Sequence, residues 1–251
     1  MRTANPALNE KTFKDYALWR ESAASTDMMT LQGTVMKTGA MLLVLFLAAG
    51  YTWSKTLNAE TVGSTYPWII GGAIGGLVLA LIIIFKNTTA PYLAPAYAAC
   101  EGLFLGALSA GVNLVYPGIV LQAVLLTMGV AVALLLAYTS RLIKPSENFK
   151  LGVTAATGGI MMLYMMSWIL GMFGVPMGFL HGSGWMSIGF SAFVVVIAAL
   201  NLVLDFDFIE NAVDHGAPKH MEWVGAFGLT VTLVWLYLEI LRLLMKLRGR
   251  D

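Results

Sequence analysis

The stretch IVLQAVLLTMGVAVALLLAY (residues 119–138) contains twenty consecutive residues without a single charged side chain. A transmembrane α-helix needs about 20 mostly apolar residues, because a helix rises about 1.5 Å per residue and the hydrocarbon core of a bilayer is about 30 Å thick. This stretch therefore predicts a membrane-spanning helix.

The composition of the whole chain is also that of a membrane protein. Hydrophobic residues make up 58% of the 251 residues, charged residues only 12%, and the mean hydropathy is +0.76. Soluble domains have about 45–50% apolar and about 25% charged residues. The sequence thus predicts a polytopic integral membrane protein whose main partner is the lipid bilayer. The net charge of +1 and the lack of a basic block give no indication of nucleic-acid binding.

Seven stretches have the length and composition of a transmembrane helix: Thr34–Trp53, Trp68–Phe85, Ala90–Leu114, Ile119–Tyr138, Leu151–Leu170, Trp185–Leu204 and Trp223–Leu244. Short connections such as KNTTAP (86–91) indicate helical hairpins, and the alternation of β-barrel strands is absent. The predicted fold class is an all-α, seven-helix membrane bundle. We expect a soluble N-terminal arm over residues 1–30, which lacks the apolar core of a secretory signal, and a single membrane domain over 31–251.

Glycines recur at helix-contact spacing in the second predicted span, GGAIGGLVLA (71–80). Helices associate in lipid mainly through close packing, which small residues permit. We therefore expect Gly71, Gly72, Gly75 and Gly76 to lie where a neighbouring helix backbone comes close.

Basic residues predict the orientation of the chain, because cytoplasmic loops are enriched in Lys and Arg. Ten basic residues fall on the N-terminal side of the predicted spans and five on the other, so the N-terminus is predicted to be cytoplasmic. Four of those five lie in the C-terminal tail RLLMKLRGRD (242–251). A re-entrant seventh helix would return that tail to the cytoplasm and remove the conflict.

Three acidic residues lie inside or at the end of predicted spans, where polar groups are costly and each needs a reason. Glu101 has no basic residue within one helical turn, so it is either a protonated packing contact or part of an aqueous path. Glu239 precedes Arg242 by three residues, which allows an intrahelical ion pair or an Arg242 that reaches outward. Asp205 ends the sixth span.

The acidic run LDFDFIENAVDHGAPKHMEW (204–223) contains Asp205 and Asp207, which are about 200° apart around a helix. Asp205 would share a face with Phe208 and Ile209, and Asp207 would lie on the opposite face with Glu210. The pattern does not say which face is the inner one. We interpret Asp207, Glu210 and Asp214 as part of a solvated loop.

The chain is not expected to be an enzyme or to hold a cofactor. His181 falls on the opposite side from His215 and His220, which disfavours a three-histidine zinc site, and no GxSxG or HExxH pattern is present. Membrane acids also serve proton-coupled transporters, although no internal repeat indicates one. A non-conducting regulator that binds another membrane protein is the third alternative.

The blocks LVLDFDFIENAVDHGAPKHMEW (202–223) and AFGLTVTLVWLYLEILRLL (226–244) resemble the Bax inhibitor-1 family, in particular its larger bacterial branch. The block APAYAACEGLFLGALS (94–109) and the N-terminal blocks ANPALNEKTF (4–13) and MTLQGTVMKTG (29–39) are similar to the same branch. The resemblance implies a bacterial inner-membrane protein with two groups of three helices around a central C-terminal helix. A measurement of ion flux with the purified chain would distinguish a channel from the alternative of a non-conducting regulator.

The same resemblance implies a pH-sensitive calcium leak, with protons and calcium as the mobile partners and calcium as the permeating ion. Its latch would be an acidic pair, Asp205 and Glu239, which would also bind calcium transiently. The familiar bacterial form has Asp at both positions, so this chain departs from it at Glu239, and the loop between the two acids is longer here. Glu101 and Asp207 are further candidates for the ion pathway.

The chemistry of a carboxyl pair is independent of that resemblance. Two carboxyl groups in one site cannot both ionise cheaply, so they share a proton in a hydrogen bond. A higher pH removes the proton, and the like charges repel. Carboxylate oxygens are also the ligands that Ca²⁺ prefers.

Overall fold

The computed structural model describes residues 28–58, 65–174, 180, 182 and 184–249. Nearly all of the predicted N-terminal arm lies outside these residues, as does His181. The described part of the chain contains seven helices that are long and apolar enough to cross a membrane: α1 (Leu31–Leu57), α2 (Tyr66–Phe85), α3 (Ala90–Val115), α4 (Ile119–Thr139), α5 (Glu147–Met172), α6 (Trp185–Asp214) and α7 (Met221–Arg248). The seven-span all-α prediction is confirmed.

Helix α6 is ten residues longer than predicted, and it contains most of the acidic run. The interpretation of Asp207, Glu210 and Asp214 as a solvated loop is wrong, because all three lie in this helix. The helix continues because the face of Phe208, Ile209 and Ala212 stays buried. It ends where Gly216 adopts a φ of 67°, a conformation that favours glycine at helix C-termini.

Helix α7 is the most buried of the seven spans. In its most apolar window 83% of the residues are buried, against 17–50% in the other helices, which confirms the prediction of a central C-terminal helix. Its 28 described residues form one helix about 42 Å long. A re-entrant seventh helix is therefore not supported.

The described residues form two compact units. The first unit comprises the described residues of 28–120 and 207–231, and thus contains α1, α2 and α3. The second unit comprises those of 121–206 and 232–249, with nearly all of α4, α5 and most of α6. Helix α7 contributes residues to both units.

Glycines set the packing of α1, α2 and α3 in the first unit. A Cβ atom at Gly72 would lie 2.7 Å from the Cys100 carbonyl oxygen, and Gly75 and Gly76 also face α3, as predicted. Gly71 is the exception, because nothing lies within 4 Å of its Cβ position. Gly102 and Gly106, which the sequence analysis did not single out, press against the backbone of α1.

Candidate functional site: buried acids of the last two helices

Asp205 faces the interior of the second unit. Its side chain is 1% exposed, and the Thr232 hydroxyl on α7 donates a hydrogen bond of 2.5 Å to Oδ2. Phe208 and Ile209, predicted to share its face, are buried as well. The inner face, which the sequence could not identify, is therefore that of Asp205, while Asp207 is half-buried.

A second polar contact lies one helical turn before Asp205. The Asn201 side chain donates hydrogen bonds of 2.8 Å to the Thr157 hydroxyl on α5 and to the Ile197 carbonyl oxygen. Asn201 and Thr157 are both buried. Since a buried polar group is costly without a partner, the bond to Thr157 fixes α6 against α5 on the side that carries Asp205.

Glu239 is 2% exposed and is held by two side chains of the second unit. The Arg242 guanidinium donates to its carboxylate at 2.9 and 3.1 Å, and the Tyr164 hydroxyl of α5 donates at 3.1 Å to each oxygen. Arg242 also donates to the Tyr164 hydroxyl at 2.7 Å and lies 5.0 Å from its ring centroid. The predicted ion pair is thus present, and Arg242, 41% exposed, reaches outward while the acid faces inward.

The basic residues of the C-terminal tail are partly engaged in such internal contacts. The Lys246 ammonium group donates to the Leu180 carbonyl oxygen and to the Ser191 hydroxyl, both at 2.7 Å. Arg242 binds Glu239. Both basic residues therefore serve as internal partners of the second unit.

The two acids of the predicted pair lie in the same compact unit but bind different partners. Asp205 binds Thr232, whereas Glu239 binds Tyr164 and Arg242. Thr232 and Glu239 are seven residues apart, so they lie on one face of α7 and about 10 Å apart along its axis. The structure buries both carboxyls, and the direct proton-sharing bond between them stays a prediction.

The two other candidate pathway residues, Glu101 and Asp207, belong to the first unit. Glu101 lines a cavity between α2, α3 and α7. Asp207 lies on the half-buried side of α6, where its carbonyl oxygen accepts a hydrogen bond of 2.6 Å from Asn211. Within the described part of the chain, no group of three or more His, Cys, Asp or Glu side chains could hold a metal ion.

The first unit contains a buried acid whose role the sequence analysis missed. Glu222, in the first turn of α7, is 1% exposed and accepts hydrogen bonds from the Thr30 amide at 2.9 Å and hydroxyl at 2.8 Å. Lys219 pairs with it at 2.8 Å, and Lys37 of α1 is a further ion-pair partner. Lys37 neutralises this carboxylate, a role that a count of basic residues does not reveal. Glu222 therefore fastens the start of α1 to the start of α7.

The Glu222 contact requires a glycine at position 33. A Cβ atom there would overlap the Glu222 carboxylate, whereas nothing lies within 4 Å of the Cβ position of Gly39 in the same helix. We expect Gly33→Ala to lower the free energy of unfolding by about 1–3 kcal/mol, because it displaces a buried hydrogen-bonded carboxylate. Gly39→Ala should be neutral or stabilise by up to about 1 kcal/mol. Thermal unfolding of both variants in detergent measures the difference, and equal melting temperatures would contradict the assignment.

The loop before α7 contains a histidine, His220, that is expected to make the stability of the protein depend on pH. Burial lowers the pKa of His220, so the unfolded chain binds a proton at this residue before the folded chain does. Stability should therefore fall as pH drops below about 6.5, by at most about 1.4 kcal/mol per unit for one histidine. His220→Gln is expected to flatten this acid-side slope in thermal unfolding scans between pH 7.5 and 5. Identical slopes for the variant and the wild type would rule His220 out.

The fold and these contacts define a polytopic α-helical membrane protein with buried carboxyl groups on its last two helices. The protein family described as Bax inhibitor 1 like matches residues 5–249, and the chain belongs to this family. No curated protein and no solved structure is significantly similar to the chain. The family resemblance noted in the sequence is thereby confirmed.

Proposed function

We propose that the protein is a pH-sensitive calcium leak channel gated by the acidic pair Asp205 and Glu239. One observation supports this most: two carboxyl side chains, 1% and 2% exposed, lie in one compact unit and bind across neighbouring helices. Asp205 connects α6 to α7, and Glu239 connects α7 to α5. Acids buried in a membrane protein are costly and mark functional sites.

Glu239 has two alternative partners in this mechanism. At low pH it shares a proton with Asp205, which fastens α6 to α7. At higher pH the shared proton is lost, the two carboxylates repel each other, and Glu239 binds Arg242 and Tyr164 instead. The arrangement proposed for this second, unshared state is the one in which Glu239 binds Arg242 and Tyr164.

Calcium is the proposed permeating ion because Ca²⁺ prefers oxygen ligands. The carboxylates of Asp205 and Glu239, once released from each other, offer such oxygens transiently. Conduction requires sites weak enough for the ion to leave, which one or two carboxylates without a complete cage provide. Asp207 and Glu101 are the further residues proposed for the pathway.

Calcium flux into proteoliposomes containing the purified chain, measured from pH 5 to 8, tests the proposal. We expect a leak that rises with pH and needs no counter-substrate. Flux that depends on a counter-substrate would instead indicate a proton-coupled transporter. An absence of flux at every pH would leave the alternative of a non-conducting membrane regulator.

A further inference from the structure

The first unit contains a cavity of about 340 Å³ between α2, α3 and α7. Cavities of about 300–1,000 Å³ are typical of small-molecule sites. One wall is a face of α2, formed by apolar residues at helical spacing: Ala73, Leu77, Ala80 and Ile84. Of the residues that line the cavity, only Tyr97 and Glu101 carry polar side-chain atoms.

The Glu101 carboxyl group lies close to the backbone of α2, at a point where that helix carries a glycine. A Cβ atom at Gly76 would lie 3.0 Å from Oε1 of Glu101. Glu101 is the twelfth of the 26 residues of α3, so it lies within about 3 Å of the middle of the helix. At this depth a charge is most costly in a bilayer, and either a proton on the carboxyl group or an accompanying cation removes that cost.

Three aromatic side chains line the cavity together with this acid: Tyr97 and Phe104 on α3, and Phe227 on α7. The rings of Tyr97 and Phe227 meet edge to face, with centroids 4.8 Å apart and planes at 77°. Aromatic faces attract organic cations, and several rings around one site are the usual means of recognising alkylammonium groups. A carboxylate among aromatic rings is thus complementary to an organic cation.

This cavity lacks the oxygen ligands that tight calcium binding requires. Ca²⁺ takes six to eight oxygen ligands, whereas the lining side chains offer only the Glu101 carboxylate and the Tyr97 hydroxyl. An alkylammonium ion needs no such shell, and its apolar chain fits the aliphatic face of α2. The head group of a lipid is held at the membrane surface, far from the middle of α3, which favours a free amphiphile over a membrane lipid.

We propose that this cavity binds a lipophilic alkylammonium ion, with the ammonium group against Glu101 and the rings of Tyr97, Phe104 and Phe227. The alkyl chain lies along the face of α2 that contains Leu77 and Ala80. The cation and the carboxylate neutralise each other in a low-dielectric environment, which offsets the cost of burying either one. This binding site goes beyond the leak function and does not depend on it.

Equilibrium dialysis of radiolabelled hexyltrimethylammonium against the purified full chain in dodecyl maltoside tests the site. We expect saturable binding of one probe molecule per chain. Glu101→Gln, which keeps the shape but removes the charge, should weaken binding at least about tenfold. Ala80→Phe fills the cavity and should weaken it comparably, so either variant decides the question if the other fails to fold. Glu147→Gln changes an exposed glutamate outside the cavity and should bind as the wild type does.

Two competitors complete the test. Excess 1-hexanol, which has the alkyl chain without the ammonium group, should leave the bound probe in place. Displacement by hexanol, or wild-type affinity in Glu101→Gln, would overturn the proposal. Displacement by added phosphatidylcholine would assign the cavity to a lipid head group and would equally overturn the assignment to a free amphiphile.

Discussion

Asp205→Asn is expected to abolish the pH dependence of calcium flux in proteoliposomes. Asparagine has nearly the shape of aspartate and can still accept the Thr232 hydrogen bond, so the packing of α6 against α7 should survive. It cannot bind or release a proton, however, so the pair with Glu239 no longer titrates. A gate controlled by one shared proton changes by up to about tenfold per pH unit. The variant should show a flat profile across the range where the wild-type flux rises.

Asp214→Asn is the matched control for this experiment. Asp214 lies in the same helix and undergoes the same chemical change, but it is exposed at the end of α6. Its pH profile should follow that of the wild type. A profile of Asp205→Asn that still rises with pH, in a variant of normal stability, would remove Asp205 from the gate.

The number of spans could be predicted because it depends on local composition. A run such as residues 119–138 is apolar throughout, and α4 differs from the predicted span by a single residue. The end of α6 could not be predicted in this way. The charges of Asp207, Glu210 and Asp214 predicted a loop. The helix nevertheless continues, because its other face, with Phe208, Ile209 and Ala212, is buried.

The positions of the buried acids could be predicted, but their partners could not. An acid inside an apolar run is visible in a sequence, since any charge stands out there. Tyr164 is 75 residues away from Glu239, and only tertiary packing brings them together. Glu222 gave a weaker signal still, because an acid in the first turn of a helix is common and its partners, Thr30 and Lys37, lie at the start of α1, far away in the sequence.

The glycines of the first unit likewise show what the sequence reveals and what only tertiary packing reveals. The spacing of Gly72, Gly75 and Gly76 indicated a packing face, and α3 lies against it. Gly102 and Gly106 have the same four-residue spacing, but the sequence around them is dominated by the charge of Glu101, and their contact with α1 was not predicted. In a bundle held together by close packing, these glycines position the helices that form the Glu101 cavity, so the cavity depends on them as much as on its lining.

Arg242→Gln is expected to lower the stability of the second unit substantially. It leaves the Glu239 carboxylate, 2% exposed, without its guanidinium partner and removes the hydrogen bond to Tyr164. Breaking a buried ion pair costs about 3–5 kcal/mol, and the partial exposure of Arg242 reduces this to about 2–3 kcal/mol. For a chain of this size, thermal unfolding in detergent should show a melting temperature lower by about 5–10 °C.

A double-mutant cycle separates this loss from a mere loss of side-chain packing. Glu239→Gln in the Arg242→Gln background removes the buried charge that lost its partner, so the double variant should recover most of the melting temperature. Arg248→Gln, the same substitution at an exposed position of α7, should have little effect. If the double variant loses as much melting temperature as the Arg242→Gln and Glu239→Gln single variants lose together, the ion pair contributes nothing to stability. A strong coupling would instead show that the buried Glu239 charge requires the Arg242 guanidinium in the folded protein.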